Sequence, residues 1–185
     1  MEEDGRRRLS EDRADHGMEL IWAPWRMGYI RSKERSGCPF CLDQREGLDR
    51  ERHVLAKGKH AYVCMNLYPY NNGHLLIPPY EHTGDLTSLS VDALAEMSEL
   101  MRLSIQVLTE WSHPQGFNVG YNLGEAGGAG VADHVHMHVI PRWFGDTSFL
   151  CVISSTKVVV QALDETYNEL APLFAAAMER AGLDA

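Results

Sequence analysis

Three histidines alternate with apolar residues in the stretch Asp133-His134-Val135-His136-Met137-His138-Val139-Ile140-Pro141-Arg142-Trp143. In an extended strand successive side chains face opposite ways, so His134, His136 and His138 share one face while Val135, Met137 and Val139 share the other. With a rise of about 3.3 Å per residue, the imidazoles are expected about 6.5–7 Å apart. Two chemistries suit such a row. Imidazole is a common zinc ligand, so the row could hold a metal. A neutral imidazole is also a nucleophile, able to attack phosphorus while its neighbours stabilise charge. Its reference pKa of about 6.5 leaves it largely neutral at pH 7, with no base needed to activate it.

Just before this strand, Asn122-Leu123-Gly124-Glu125-Ala126-Gly127-Gly128-Ala129-Gly130 packs four glycines into nine residues. Glycine permits the positive φ angles that turn successive N–H groups toward one point, which makes an anion-binding nest. Gly128 and Gly130 are its expected substrate contacts. Near the other end of the chain, Cys38-Pro39-Phe40-Cys41 has the knuckle spacing that lets two thiolates reach one tetrahedral ion. The redox alternative for a C-x-x-C pair is disfavoured, because no strand-CxxC-helix pattern surrounds it. Cys64 and Cys151 fall inside strand-like stretches and read as small buried hydrophobes.

Strand-like stretches bounded by Gly, Pro and Asn occur at 60–66, 73–78, 116–122, 134–140 and 149–153, which makes five. A helix is expected from Val91 to Trp111, with Ser90 as N-cap and Leu94, Met97, Met101, Ile105 and Leu108 as its apolar stripe. A second helical stretch runs from Ala162 towards Arg180, with Pro172 expected to break it. Short links between strands and a single long helix indicate an α+β fold on an antiparallel sheet.

The chain has 185 residues, with 17 Lys+Arg against 26 Asp+Glu and a formal charge of −9 when its nine histidines count as neutral. The length suits one domain, read here as residues 18–185 behind a charged, disordered tail at 1–17. The segment Ile21–Ile30, rich in Trp and Tyr, is expected to pack on the body as an ordered arm. No apolar run approaches the ~18 residues of a membrane span, and the tail lacks the apolar core of a secretory signal. A cytoplasmic, reducing location is therefore expected, with no membrane partner. The acidic balance speaks against nucleic acid as a partner but not against a small anionic substrate.

The alternating histidines followed by two apolar residues and Pro141-Arg142 resemble the signature of the histidine triad (HIT) superfamily, over roughly 20–164 of this chain. Asn66-Leu-Tyr-Pro-Tyr-Asn-Asn-Gly-His74-Leu-Leu-Ile-Pro is similar to the family's Asn…Pro-Gly-His segment, with Asn72 where proline is usual. The Trp22-Ala-Pro-Trp25-Arg26 arm, Phe117–Asn122 and Pro141-Arg142-Trp143 look most like the bacterial diadenosine tetraphosphate phosphorylase and Fhit-like branch. The resemblance implies the HIT fold, a five-stranded antiparallel sheet with one long helix and a C-terminal helical segment, in a homodimer.

The same resemblance implies an enzyme that cleaves dinucleoside polyphosphates, diadenosine tetraphosphate above all, at the α-phosphorus, with phosphate or water as acceptor. His136 would be the nucleophile that forms a nucleotidyl-histidine, oriented by His74. His138 would donate to the phosphate oxygens, and His134 would lie towards the leaving group or support the site. Asn66 matches the ribose-binding position and Asn122 a polar residue near the bridging phosphate. Trp143 either stacks on a base or closes the core. Relatives with a cysteine pair imply structural zinc on Cys38, Cys41, His82 and His134. The alternatives are a Hint-like nucleoside phosphoramidate hydrolase and a zinc-stabilised nucleotide-binding or sensing module with little turnover.

Overall fold

The computed structural model describes residues 37–42, 50–147 and 161–183. The tail at 1–17, the aromatic arm and the strand expected at 149–153, with Cys151, lie outside the described residues. Five strands form one antiparallel sheet: β1 (Val54–Lys57), β2 (Tyr62–Met65), β3 (Leu75–Ile77), β4 (Gly116–Tyr121) and β5 (Met137–Arg142), in the order β1-β2-β3-β5-β4. Four of them fall on expected stretches, and the fifth, β1, was not expected. It is four residues long and pairs with β2 through a register shift between Val54 and Ala56.

Two helices cover one face of the sheet. Helix α1 (Val91–Ser112) starts where Ser90 Oγ accepts the Ala93 N–H at 3.1 Å, a side-chain cap for an otherwise unpaired donor. Its fully buried residues are Ala93, Met97, Leu100, Leu103, Ser104, Val107 and Leu108, so the buried stripe is turned from the expected one, and Leu94, Met101 and Ile105 lie at its margin. Helix α2 (Leu163–Ala181) runs straight through Pro172. The break expected there does not occur because Pro172 and Asn168 are both exposed, so the carbonyl that loses its partner faces solvent. Between the helices and the sheet lies the main core, including Leu55, Val63, Met65, Leu75, Ile77, Val135, Met137 and Val139 from the strands and their flanks, with Leu170 and Phe174 from α2.

The opposite face carries Val54, Tyr62, Cys64 and Leu76 under Phe40, Leu42 and Tyr80. Burial raises the Cys64 thiol to about 12, consistent with a packed, unreactive side chain. Leu76 pairs with His138 across β3 and β5, which puts His138 on this second face, away from the helices. Gly120 stands opposite His138 on β4, so no side chain crowds the imidazole from that strand.

One carboxylate ties α1 to the sheet. Glu96 accepts the N–H groups of Lys59, His60 and Ala61 at 2.9, 2.5 and 2.8 Å, clamping the turn between β1 and β2. That turn reaches the next segment through the Ala61–Pro79 bridge and the bond from Tyr80 N–H to the His60 carbonyl.

Candidate active site

Of the three histidines in the row, only His138 lies within β5; His134 and His136 occupy the segment leading into it. All three are buried, and Val135, Met137 and Val139 point into the main core as the alternation requires. The row is tighter than a regular strand: the His136 and His138 ring centroids are 4.9 Å apart.

Groups whose hydrogen-bonding roles are fixed set the tautomers. The His134 carbonyl can only accept, so His136 donates Nδ1–H to it at 2.8 Å and keeps the lone pair on Nε2. Burial also holds the His136 imidazole below its ordinary pKa, which favours the neutral form. The Tyr70 N–H can only donate, and it meets His74 Nδ1 at 3.0 Å, with the Asn66 amide nitrogen at 3.2 Å from the same atom. The proton of His74 is therefore on Nε2, which donates to His138 Nδ1 at 2.9 Å. His138 in turn carries its proton on Nε2. The pair thus offers one bare nitrogen beside one N–H, an arrangement chemically able to attack an electrophile and to donate to it.

His74 was expected to orient His136. Its bond goes to His138 instead, and the His134 carbonyl takes the expected role. The backbone before His74 is held at Gly73, where φ is +70° and a Cβ would come within 2.8 Å of the Trp111 ring. Asn71 fastens the same loop to the end of β5 by donating to the Pro141 carbonyl at 2.9 Å and to Asp146 at 2.8 Å. Asp146 also accepts from Arg142 Nε at 2.6 Å and Nη2 at 2.9 Å, and the guanidinium beside it holds its carboxyl well below the usual range.

A cleft opens over the pair, lined by Asn66, Tyr68, Tyr70, Asn122, Gly130 and Phe40 among others. Asn66, Asn122 and Gly130 of the expected contacts line this cleft, and the Asn122 amide is 3.5 Å from His138 Nε2. Gly128 and Trp143 are not in the lining. The Gly128 N–H is spent on the Glu125 carbonyl within its own turn, so it is not part of a nest. Trp143 donates its indole N–H to the Ser112 carbonyl at the end of α1, which favours the reading that it closes the body of the fold. Three cleft aromatics, Phe40, Tyr68 and Tyr70, were not anticipated. The Phe40 ring lies 4.6 Å from the His136 ring, and the Tyr70 ring stacks on His138 at 5.8 Å with 10° between planes. Phe40 sits inside the Cys-x-x-Cys knuckle and Tyr70 four residues before His74, so the motifs that located their neighbours were the available signal.

Cys38, Cys41, His82 and His134 converge with all four donor atoms within 4.8 Å of one another, an arrangement able to hold a metal ion. Cys38 Sγ is 3.3 Å from His134 Nδ1, Cys41 Sγ 3.4 Å from His82 Nδ1, and the two Nδ1 atoms are 3.3 Å apart. His134 donates Nε2–H to the Pro79 carbonyl at 2.9 Å, which leaves Nδ1 as the free donor atom facing the cluster. The four residues come from separate places, and Gly84 allows the close approach: a Cβ there would lie 2.3 Å from the Ala132 carbonyl oxygen.

A HIT-type sheet with a buried histidine pair, a donor relay and a cleft on the face away from the helices defines the class. The HIT domain family profile matches residues 48–145, and the chain belongs to the HIT family. It is 38% identical over 167 residues to the AP-4-A phosphorylase of Mycobacterium tuberculosis, covering 83% of each chain. It is 28% identical over 127 residues to the asymmetrical bis(5'-nucleosyl)-tetraphosphatase of Schizosaccharomyces pombe, covering 69% of this chain and 66% of that one. Among solved structures, a Zn-bound histidine triad family protein from Mycobacterium smegmatis superposes with a TM-score of 0.57 at 24% identity, over 70% of this chain and 88% of that one, and shares the fold.

Proposed function

We propose that the protein cleaves dinucleoside polyphosphates, with diadenosine tetraphosphate the favoured substrate, through a nucleotidyl intermediate on His136. The observation that carries this reading is the bond from His136 Nδ1–H to the His134 carbonyl, which leaves Nε2 as a lone-pair nucleophile in the cleft. His136 Nε2 attacks the α-phosphorus, the bond to the bridging oxygen breaks, and ATP leaves. Phosphate then attacks the nucleotidyl-histidine and releases ADP, regenerating the imidazole. His138 Nε2–H stabilises charge on the phosphate oxygens throughout, the kind of preorganised donor that contributes most in a dry site. Asn66 and Asn122 hold the ribose and the bridging phosphate region, with Gly130 beside them. Phosphate is favoured over water as acceptor because the relative at 38% identity is named a phosphorylase.

Zinc suits the four-donor cluster. Zn–N and Zn–S bonds of about 2.0 and 2.3 Å place tetrahedral donors about 3.3 Å (N···N) and about 3.6 Å (S···N) apart, close to the 3.3–3.4 Å separations found here. With four protein ligands the ion would have no open position, so it would serve as a cross-link. The thiolates would need a reducing compartment such as the cytoplasm. Among the described residues no helix is long and apolar enough to cross a membrane. A single domain over residues 18–185 and a homodimer belong to the same reading. The dimer is supported by β4, which among the described residues lies at the edge of the sheet and exposes Val119.

Incubation with diadenosine tetraphosphate, with and without inorganic phosphate, tests the reaction. ADP and ATP formed only with phosphate is the expected result. AMP formed whether or not phosphate is present would make water the acceptor, and no turnover at all would overturn the reading. His136→Asn should abolish turnover while nucleotide binding persists; full activity in that variant would remove the covalent mechanism.

A further inference from the structure

Tyr70 touches the histidine relay at two points. Its main-chain N–H meets His74 Nδ1 at 3.0 Å, and that bond decides on which nitrogen His74 keeps its proton. Its ring lies 4.7 Å from the His74 ring and stacks almost parallel on His138, centroids 5.8 Å apart at 10°. Phe40 covers His136 from the other end at 4.6 Å, so the nucleophile and the donor stand in a bracket of two aromatic rings.

The two contacts serve one result. Were His74 to move its proton to Nδ1, the Tyr70 N–H would face another N–H, and a part-buried donor would lose its partner at a cost of about 1–3 kcal/mol. His138 would then lose the donor that fixes its own Nδ1 as acceptor. The ring supplies what the hydrogen bonds do not. A bond to Nδ1 alone allows the imidazole to tilt about its Cβ–Cγ bond, and a flat surface stacked on its face opposes that tilt. A misplacement of about 1 Å at a reacting group can cost a hundredfold in rate.

We propose that Tyr70 is a positioning residue for nucleotidyl transfer, acting through His74 and His138 to keep the Nε2–H of His138 aimed at the substrate phosphate. The inference rests on the function proposed above. Tyr70→Leu, which keeps an apolar side chain and the N–H, should slow formation of the nucleotidyl-histidine by about ten- to hundredfold with little change in KM. Tyr70→Phe, which keeps ring and amide, should restore most of the rate. Tyr70→Met takes the place of Tyr70→Leu if the latter does not fold.

Two readouts separate positioning from a general structural effect. Nitrogen-15 NMR of the imidazoles in the free protein should show His138 protonated at Nε2 in the wild type and also in Tyr70→Leu, which keeps the main-chain N–H, but with the His138 resonances shifted and broadened in the variant as the ring loses its fixed orientation. In a His138→Asn background, Tyr70→Leu should slow the reaction no further. A raised KM with unchanged kcat would make Tyr70 a direct substrate contact and overturn the proposal, as would unchanged imidazole spectra or additive losses in the double variant. The spectra need no substrate. If the wild type fails to cleave the dinucleoside tetraphosphate, the function proposed above falls while the spectra still decide the part played by Tyr70.

Discussion

Glu96→Ala should destabilise the protein by about 3 kcal/mol. The carboxylate accepts three consecutive N–H groups, Lys59 on Oε1 and His60 and Ala61 on Oε2. A hydrogen bond to a charged group contributes about 1.5–3 kcal/mol net. The Lys59 end is exposed, so water can replace its bond, whereas Ala61 is fully buried. Two bonds at the low end of that range give the estimate. Glu96→Gln should cost about half as much, because an amide offers one oxygen and turns an NH2 toward at least one of the three donors. Gly58→Ala should reproduce part of the loss, since a Cβ there would lie 2.8–2.9 Å from the clamped carboxylate and push it off its donors. Urea unfolding followed by circular dichroism measures all three, with a lower midpoint and an unchanged slope expected. If Glu96→Ala stays within about 0.5 kcal/mol of wild type, a range typical of plain surface substitutions, the clamp contributes nothing and the reasoning fails.

Purified protein should carry about one zinc per chain, and Cys41→Ser should lose the metal and melt at lower temperature, read by elemental analysis and calorimetry. A metal-free wild type of undiminished stability would remove the cluster from the account. Asp146 has its carboxyl lowered by Arg142, so its contribution is fully present above its unfolded pKa of about 4 and is lost as pH falls below that. Asp146→Asn should therefore cost about 2 kcal/mol at pH 7 and flatten the stability curve between about pH 4 and pH 2; parallel curves for the two proteins would contradict this.

The residues of the site were legible because their chemistry is rare and their spacing regular. His136, His138, His74 and the four candidate metal donors all appear in or beside short motifs, and the fold brings them together. What those motifs could not carry was the direction of each contact. Whether His74 bonds to His136 or His138 depends on how the loop before β3 lies against β5, and that is fixed by Gly73 and Asn71 of the loop together with Trp111 of α1. Gly128 illustrates a different limit: composition signals a tight turn, but a turn can use its amides internally and leave none for an anion. Strand β1 was missed because Val54-Leu-Ala-Lys57 is too short to show a period, and it becomes a strand only through its irregular pairing with β2. The stripe on α1 was misplaced because Leu94, Met101 and Ile105 are apolar without being central, and the true centre includes Ala93 and Ser104.

His134 belongs to two systems at once, through different atoms. Its imidazole faces the cysteine pair and His82, while its carbonyl oxygen holds the proton of His136. Every amino acid has that oxygen. The acceptor of the His136 proton is therefore supplied by the main chain at position 134 whatever its side chain, while the imidazole there is engaged with the Pro79 carbonyl and the candidate metal cluster. A cysteine there would keep a donor atom for the candidate cluster and leave the acceptor of the His136 proton untouched, at the loss of the bond to the Pro79 carbonyl. The side chain of the first histidine in the row can thus be exchanged without removing the acceptor of the His136 proton, whereas the middle one supplies the bonded imidazole itself.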